Sequence, residues 1–253
     1  MTDIVKADAS LPADLAGVGL EDVDAGDITV PRLKIVHAEG VFQDNLSNAK
    51  FAELNVILLG LVKQRLMWDV EVEDDAKPLC KSADFDHGIP SDSFPWEASG
   101  LVKADFIDGT PLPCENCKLK EWGSHPRNDS PWCSEQHVYP LLMEFDGAWS
   151  PCVLAMQKTA IKPSRTYISS FVRSKKPLFT KVTRLTLQTN KRGSVTYSVP
   201  TFASVGDTDA SEWPGYAQQF LALRSFLQSS PRRDDEGTPV AAPSSTSDDE
   251  PEF

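Results

Sequence analysis

Residues 76–136 restrict most severely what this chain can become. They hold seven prolines, four cysteines and three tryptophans, with little apolar periodicity. Proline fixes φ and removes a backbone donor, so neither a long helix nor an unbroken ladder runs through such a stretch. The composition builds no conventional core, so the expectation is that a cross-link holds the segment together. Cys80, the pair Cys114 and Cys117, and Cys133 all lie inside it. Thiolates separated by two residues in a tight turn can face one metal, and two more from distant segments complete a tetrahedron. Pro113 and Asn116 suit that turn.

The reading is therefore a structural Zn²⁺ held by Cys80, Cys114, Cys117 and Cys133. His87, His125 and His137 are each able to replace a cysteine. Cys152 stands apart in an apolar strand, and five cysteines are an odd number for a secreted disulfide framework. A redox CxxC would open a helix after a strand in a βαβ unit, and none surrounds this pair. A catalytic zinc needs an open position and a general base, whereas four thiols fill the shell. The protein is expected not to be an enzyme.

On both sides of this segment the pattern is that of strands. Pro31 opens a first one, Arg32 to His37, and Leu54 to Val62 with Arg65 to Val72 suit two paired strands. His137 to Phe145 and Cys152 to Gln157 follow. A helix is expected near 163–174, with Ile168, Phe171 and Val172 on its apolar face. Leu178 to Thr189 and Val195 to Val199 form a hairpin about the turn Asn190 to Gly193. A last helix begins near Pro214, its stripe made of Trp213, Tyr216, Phe220, Leu223 and Leu227. About six to eight strands and two helices fit a mainly β chain. The expected fold is a small OB-like β-barrel with a cysteine-rich zinc-binding insertion at about 76–136, and a β-sandwich is the rival. The expected domains are a flexible acidic arm at 1–29, the barrel with its insertion at 30–230, and a disordered acidic tail at 231–253.

Charge is sorted along the chain. Residues 1–30 carry seven acids and one lysine, and residues 231–253 seven acids and two arginines. The formal net charge of -12 therefore shrinks to about -1 for residues 31–230. Between Asp146 and Asp207 there is no acid at all, but ten bases: Lys158, Lys162, Arg165, Arg173, Lys175, Lys176, Lys181, Arg184, Lys191 and Arg192. A basic surface inside an acidic protein points to a polyanionic ligand. Lysines and arginines neutralise phosphates, and aromatic faces stack on unpaired bases. Tyr167, Phe171, Phe179, Tyr197 and Phe202 interleave with the bases. Phe171 and Tyr197 share the spacing of apolar neighbours and read as core. The expected DNA-binding set is the ten bases with Tyr167 and Phe179.

The chain ends Asp248-Asp249-Glu250-Pro251-Glu252-Phe253. An acidic arm of this kind can lie in a basic groove as a mimic of nucleic acid. It can also offer Phe253 and its carboxylate to a partner's basic pocket. The tail residues expected to bind partners are Asp248, Asp249, Glu250, Glu252 and Phe253. The longest apolar run, Val56 to Val62, is far short of the about 20 residues that span a bilayer. The N-terminus lacks the segments of a signal peptide, so a soluble, cytoplasmic protein is expected.

Tail and middle together resemble bacterial and bacteriophage single-stranded DNA-binding proteins. The shared pattern is a cysteine before a CxxC with a nearby tryptophan (Cys80, Cys114, Cys117, Trp122) and a further cysteine leading into a strand (Cys133, Val138 to Phe145). A Lys/Ser helix (Lys162 to Lys175) and a hairpin ending in Tyr197 and Phe202 complete it. The resemblance implies an OB-like fold, cooperative coating of single strands, and recruitment of replication or recombination proteins through the tail. Glu252 stands where the bacterial tail has a proline. Four cysteines stand where some phage relatives have three and a histidine. The sequence leaves monomer and dimer open. The alternative reading is a zinc-ribbon adaptor that binds a polymerase or nuclease rather than DNA. A zinc hydrolase is disfavoured, since no His/Asp/Glu cluster stands at metal spacing.

Overall fold

The computed structural model describes residues 30–69, 78–106, 110–145, 147–193 and 195–229. The expected acidic arm and tail lie outside them. Among the described residues, twelve strands and three α-helices follow in chain order. The strands are β1 (Arg32–Val36), β2 (Val41–Asp44), β3 (Lys50–Phe51), β4 (Glu53–Leu58), β5 (Val62–Met67), β6 (Cys80–Ser82) and β7 (His87–Pro90). After helix α1 (Trp96–Ser99) come β8 (Leu112–Pro113), β9 (Cys133–Phe145) and β10 (Ala148–Gln157). Helix α2 (Ile161–Ser174), β11 (Lys181–Arg192), β12 (Val195–Asp207) and α3 (Trp213–Ser229) complete the described residues. The protein is mainly β, with more strands than the sequence suggests, because the proline-rich stretch supplies three short ones and β2 and β3 follow the first strand.

The sheet runs β3-β2-β1-β10-β9-β5-β6-β7-β8, with β4 joining β9 to the β11–β12 ribbon off this path. It is a large open sheet that forks at β9. The segments holding β4 and β5, expected to pair with each other, lie end to end along β9 instead. Leu58 opposes Leu141 and Val62 opposes Val138, so the β4–β5 side carries one extra residue. That is a bulge, and Pro140 explains where it falls. Its carbonyl accepts from the Leu59 N–H at 2.9 Å, but it has no N–H to return. At the bulge Gly60 faces Phe220 of α3, whose ring would stand 2.2 Å from any Cβ placed there. Beyond the bend, β4 pairs with β11 and β5 with β6.

Alternation along β4 buries both faces of the sheet. Leu54, Val56 and Leu58 join Tyr139, Leu141, Met143, Leu154 and Met156 in the main core, closed by Tyr167 and Ile168 of α2. Ile57 and Leu59 pack instead with Leu142 and Phe179, under Tyr216, Phe220 and Leu223 of α3. The stripe expected on the last helix is the one that packs, and Trp213 at its start remains 37% exposed.

Helix α2 starts two residues before the expected boundary. Pro163 sits in the first turn, where no intrahelical donor is required. The helix ends at Lys175, which adopts a left-handed conformation (φ 51°). The N–H groups of Lys175 and Lys176 return to the carbonyls of Val172 and Phe171, and Pro177 blocks continuation. The apolar face is Ile161, Ile168 and Phe171 with Tyr167. Val172, expected on that face, is 69% exposed, because the buried face is centred on Ser164 and Phe171 and Val172 lies about 100° further round than Phe171.

The 76–136 stretch has a small core of its own, contrary to expectation. Met67, Leu79, Phe94, Leu112 and Leu119 pack with Cys80 and Cys133, and Trp96, Phe106 and Trp132 lean on them. Its periodicity is hidden because those side chains come from short strands and single turns. The last hairpin is also longer than expected. Asn190, Lys191 and Arg192 continue β11, and the turn expected from 190 is narrowed to Gly193 (φ 61°).

Candidate cysteine centre and basic groove

Strand pairing brings the four cysteines together. Met67 of β5 stands in register with Cys80 on one neighbour and Cys133 on the other, so both cysteines share its face of the sheet. Cys114 is delivered by its N–H, which donates to the Asp86 carbonyl at 2.8 Å. Cys117 closes the turn by donating to the Cys114 carbonyl at 3.3 Å. All four line one cavity of about 20 Å³, room for one water-sized occupant. Gly88 lies against it. A Cβ there would stand 2.7 Å from Cys80 Sγ and 3.7 Å from Cys114 Sγ. Among the described residues, no group of three or more His, Cys, Asp or Glu side chains is arranged to hold a metal ion.

Arg65 lines the cavity, and its buried Nε has no hydrogen-bond partner. The Phe85 ring holds the guanidinium from the other side at 4.0 Å, in a backbone conformation (φ 76°) that a phenylalanine rarely adopts. Burial pushes the Cys133 thiol up to about 12, with Cys114 and Cys117 adding to the rise and Arg65 opposing it. Burial likewise raises Cys114 and Cys117. As free thiols they hold their protons, which a bound metal would displace. The donor chemistry therefore fits a soft divalent ion. Four thiolates around a 2+ ion carry a net -2, which Arg65 and Lys120 on the cavity wall offset. Cys152 is buried in the main core, away from this set.

The second site is an open groove of about 510 Å³ between α2 and β12. Lys162, Thr166 and Ser170 line it at four-residue spacing on one face of α2, with Tyr167 beside them and Thr201 and Phe202 opposite. Tyr167 stacks on Phe202 with ring centroids 5.4 Å apart, meets Phe171 edge-on at 5.1 Å, and shares a 2.8 Å hydrogen bond with the Thr183 hydroxyl. Burial raises the Tyr167 hydroxyl above its ordinary value, so it stays neutral.

The structure sorts the expected DNA-binding residues. Lys162 and Tyr167 are in the groove. Lys158 is exposed in the turn that precedes α2, and Arg173, Lys175 and Lys176 are exposed at the far end of α2. Arg184 is exposed on β11, its Nε donating to Asn55 Oδ1 at 3.4 Å. Lys191 is exposed near the hairpin tip, and the Arg192 side chain lies outside the described set. Three residues are otherwise engaged. Arg165 donates to both carboxylate oxygens of Glu135 at 2.9 Å. Lys181 pairs with Asp207. Phe179 is buried against Ile57, Leu59 and Leu142, with no face for a base. An acid-free segment borrows its acids from elsewhere in the chain, which spacing along the segment cannot reveal. Sequence reasoning misses Thr166, Ser170, Thr201, Arg65 and Gly88. The row Lys162-Thr166-Ser170 is legible in the sequence as one helical face.

Residues 115–225 match the family described as Pam3 phage gp34-like protein. The matched stretch begins between Cys114 and Cys117 and takes in Cys133, α2, the β11–β12 hairpin and most of α3. No curated protein and no solved structure matches the chain. No helix among the described residues is long and apolar enough to cross a membrane.

Proposed function

We propose that this chain is a sequence-independent single-stranded DNA-binding protein of a bacteriophage, built on an OB-like sheet and steadied by one structural Zn²⁺. The observation that carries the reading is the groove between α2 and β12. There a stacked aromatic pair, Tyr167 and Phe202, lies beside Lys162 and three hydroxyl groups. Unpaired bases offer π-faces to such a pair, and phosphates take the lysine. No ion pair among the described residues engages Lys158, Lys162, Arg173, Lys175, Lys176 or Lys191, so these cations are available for phosphates. The match to a phage family supports the origin.

Cys80, Cys114, Cys117 and Cys133 would hold the zinc, which supplies cross-linking and no reaction chemistry. The acids Asp248, Asp249, Glu250 and Glu252 compete with DNA for the basic face, and Phe253 with its carboxylate recruits replication or recombination proteins. Deleting residues 248–253 should tighten DNA binding at low salt, and unchanged affinity there would remove the competition.

The direct test of the groove is the salt dependence of binding to an oligothymidylate. Removing one phosphate-binding cation should flatten the slope of log K against log salt by about 1. Lys162→Glu should weaken binding and flatten the slope, while Lys181→Gln, which removes a cation already paired with Asp207, should change it little. Equal effects of the two would place the strand elsewhere. A chain that binds no nucleic acid but retains one stable protein partner would favour the zinc-ribbon adaptor.

A further inference from the structure

Trp122 is 81% exposed, whereas Trp132 is half-buried in the cysteine-rich core. A lone exposed apolar side chain is ordinary. What sets this one apart is the stiffness of its support and the charge around it. The Gly123 N–H (φ 81°) donates to the Asp129 carbonyl at 2.9 Å, and the backbone N–H of His125 donates to the Ser130 carbonyl at 3.1 Å. The Ser124 hydroxyl donates to the carbonyls of Leu119 and Glu121, both at 2.8 Å, and accepts from the Trp132 N–H at 3.0 Å. Buried Leu119 on one side and the Trp132 indole, which donates to the Trp68 carbonyl at 2.8 Å, fix the loop's two ends. The tryptophan therefore stands on a rigid tip. Rigidity lowers the cost of ordering when a ligand arrives.

The tip also adjoins the basic face. Gln157, the residue before Lys158, opposes Gln136 at the end of β9 that follows the loop. Burial first, and then the charges of Lys158 and Arg127, hold His125 below its ordinary value, which brings both cations near the loop.

We infer that Trp122 is a second base-stacking contact, on the cysteine-held loop and outside the acid-free segment. A single strand then passes from the α2 groove over Lys158 to Trp122 and Arg127. This rests on the single-strand reading above. It also gives the cysteine centre a use, which is to hold a binding finger in position.

The test is titration of the full chain with a labelled oligothymidylate of about thirty nucleotides, followed by anisotropy and by quenching of tryptophan emission. Trp122→Ala should weaken binding roughly 5- to 100-fold, and Trp122→Phe should keep most of the affinity. Both variants should lose part of the quench, and both should melt like the wild type, since the side chain packs against little. Trp122→Ala binding as tightly as wild type, while Lys162→Glu weakens it, overturns this inference and leaves the groove standing. A wild-type chain that does not bind the oligonucleotide overturns both.

Discussion

Two residues carry strain or burial that solution measurements can read. Lys175 ends α2 in a left-handed conformation that costs an ordinary side chain roughly 1 kcal/mol. Glycine takes that conformation freely, although it forgoes a cation near the helix C-terminus. Lys175→Gly should therefore raise stability by up to about 1 kcal/mol in urea denaturation while, on the proposed reading, weakening DNA binding. A fall in both would mean that the cation, not the backbone, dominates. His137 is 1% exposed, with Nε2 2.8 Å from Glu135 Oε1 and Nδ1 without a partner. Burial lowers its proton affinity below the ordinary value of 6.5, more than the Glu135 carboxylate raises it. The unfolded chain then takes a proton that the folded chain refuses. Stability is unaffected by this group above about 6.5 and declines as pH falls from there toward the lower folded value. Urea melts between pH 7.5 and 5 should show that decline, and His137→Gln should flatten it.

At the scale of elements, the cysteine cavity and the seat of α3 each depend on a close approach that only glycine permits. Gly88→Ala would drive a methyl group to 2.7 Å from Cys80 Sγ. On the proposed zinc reading, the variant should lose the metal to a chelator at lower concentration than wild type, measured as metal per chain. Unchanged retention would place the ion elsewhere than between these thiols. Gly60→Ala would meet the Phe220 ring. Displacing α3 should cost about 1–3 kcal/mol, the usual penalty of overpacking, and expose the helix to protease. Sequence patterns expose some elements and hide others for a physical reason. Helix α2 is legible because its stop, Lys175 to Pro177, is local, and so is the β11–β12 hairpin apart from its exact reversal. The bend between β4 and β5 is not, because it is imposed by Pro140, far along the chain. The cysteine set is readable from spacing and composition. Its Arg65–Phe85 backing is not, since nothing in the sequence relates Arg65 to Phe85. Phe179 and Phe202 look alike among basic neighbours. Only packing tells that one fills the core under α3 and the other lines a groove.

For the molecule as a whole, the decisive property is where charge lies rather than how much there is. An acidic chain carries an acid-free segment of sixty residues. Its ion pairs among the described residues, Arg165 with Glu135 and Lys181 with Asp207, leave most of its cations unpaired. On the proposed reading, the cysteine-held loop and the α2 groove flank Lys158, and the strand runs across all three. Duplex DNA hides its base faces, so stacking on Tyr167, Phe202 and Trp122 discriminates against it. The measurement that meets this claim most directly is anisotropy of a labelled oligothymidylate of about thirty nucleotides, at low and at physiological salt, with unlabelled duplex as competitor. Tight single-strand binding that weakens steeply with salt and resists the duplex is the expected result. Equal competition by duplex, or no binding at low salt, would contradict it.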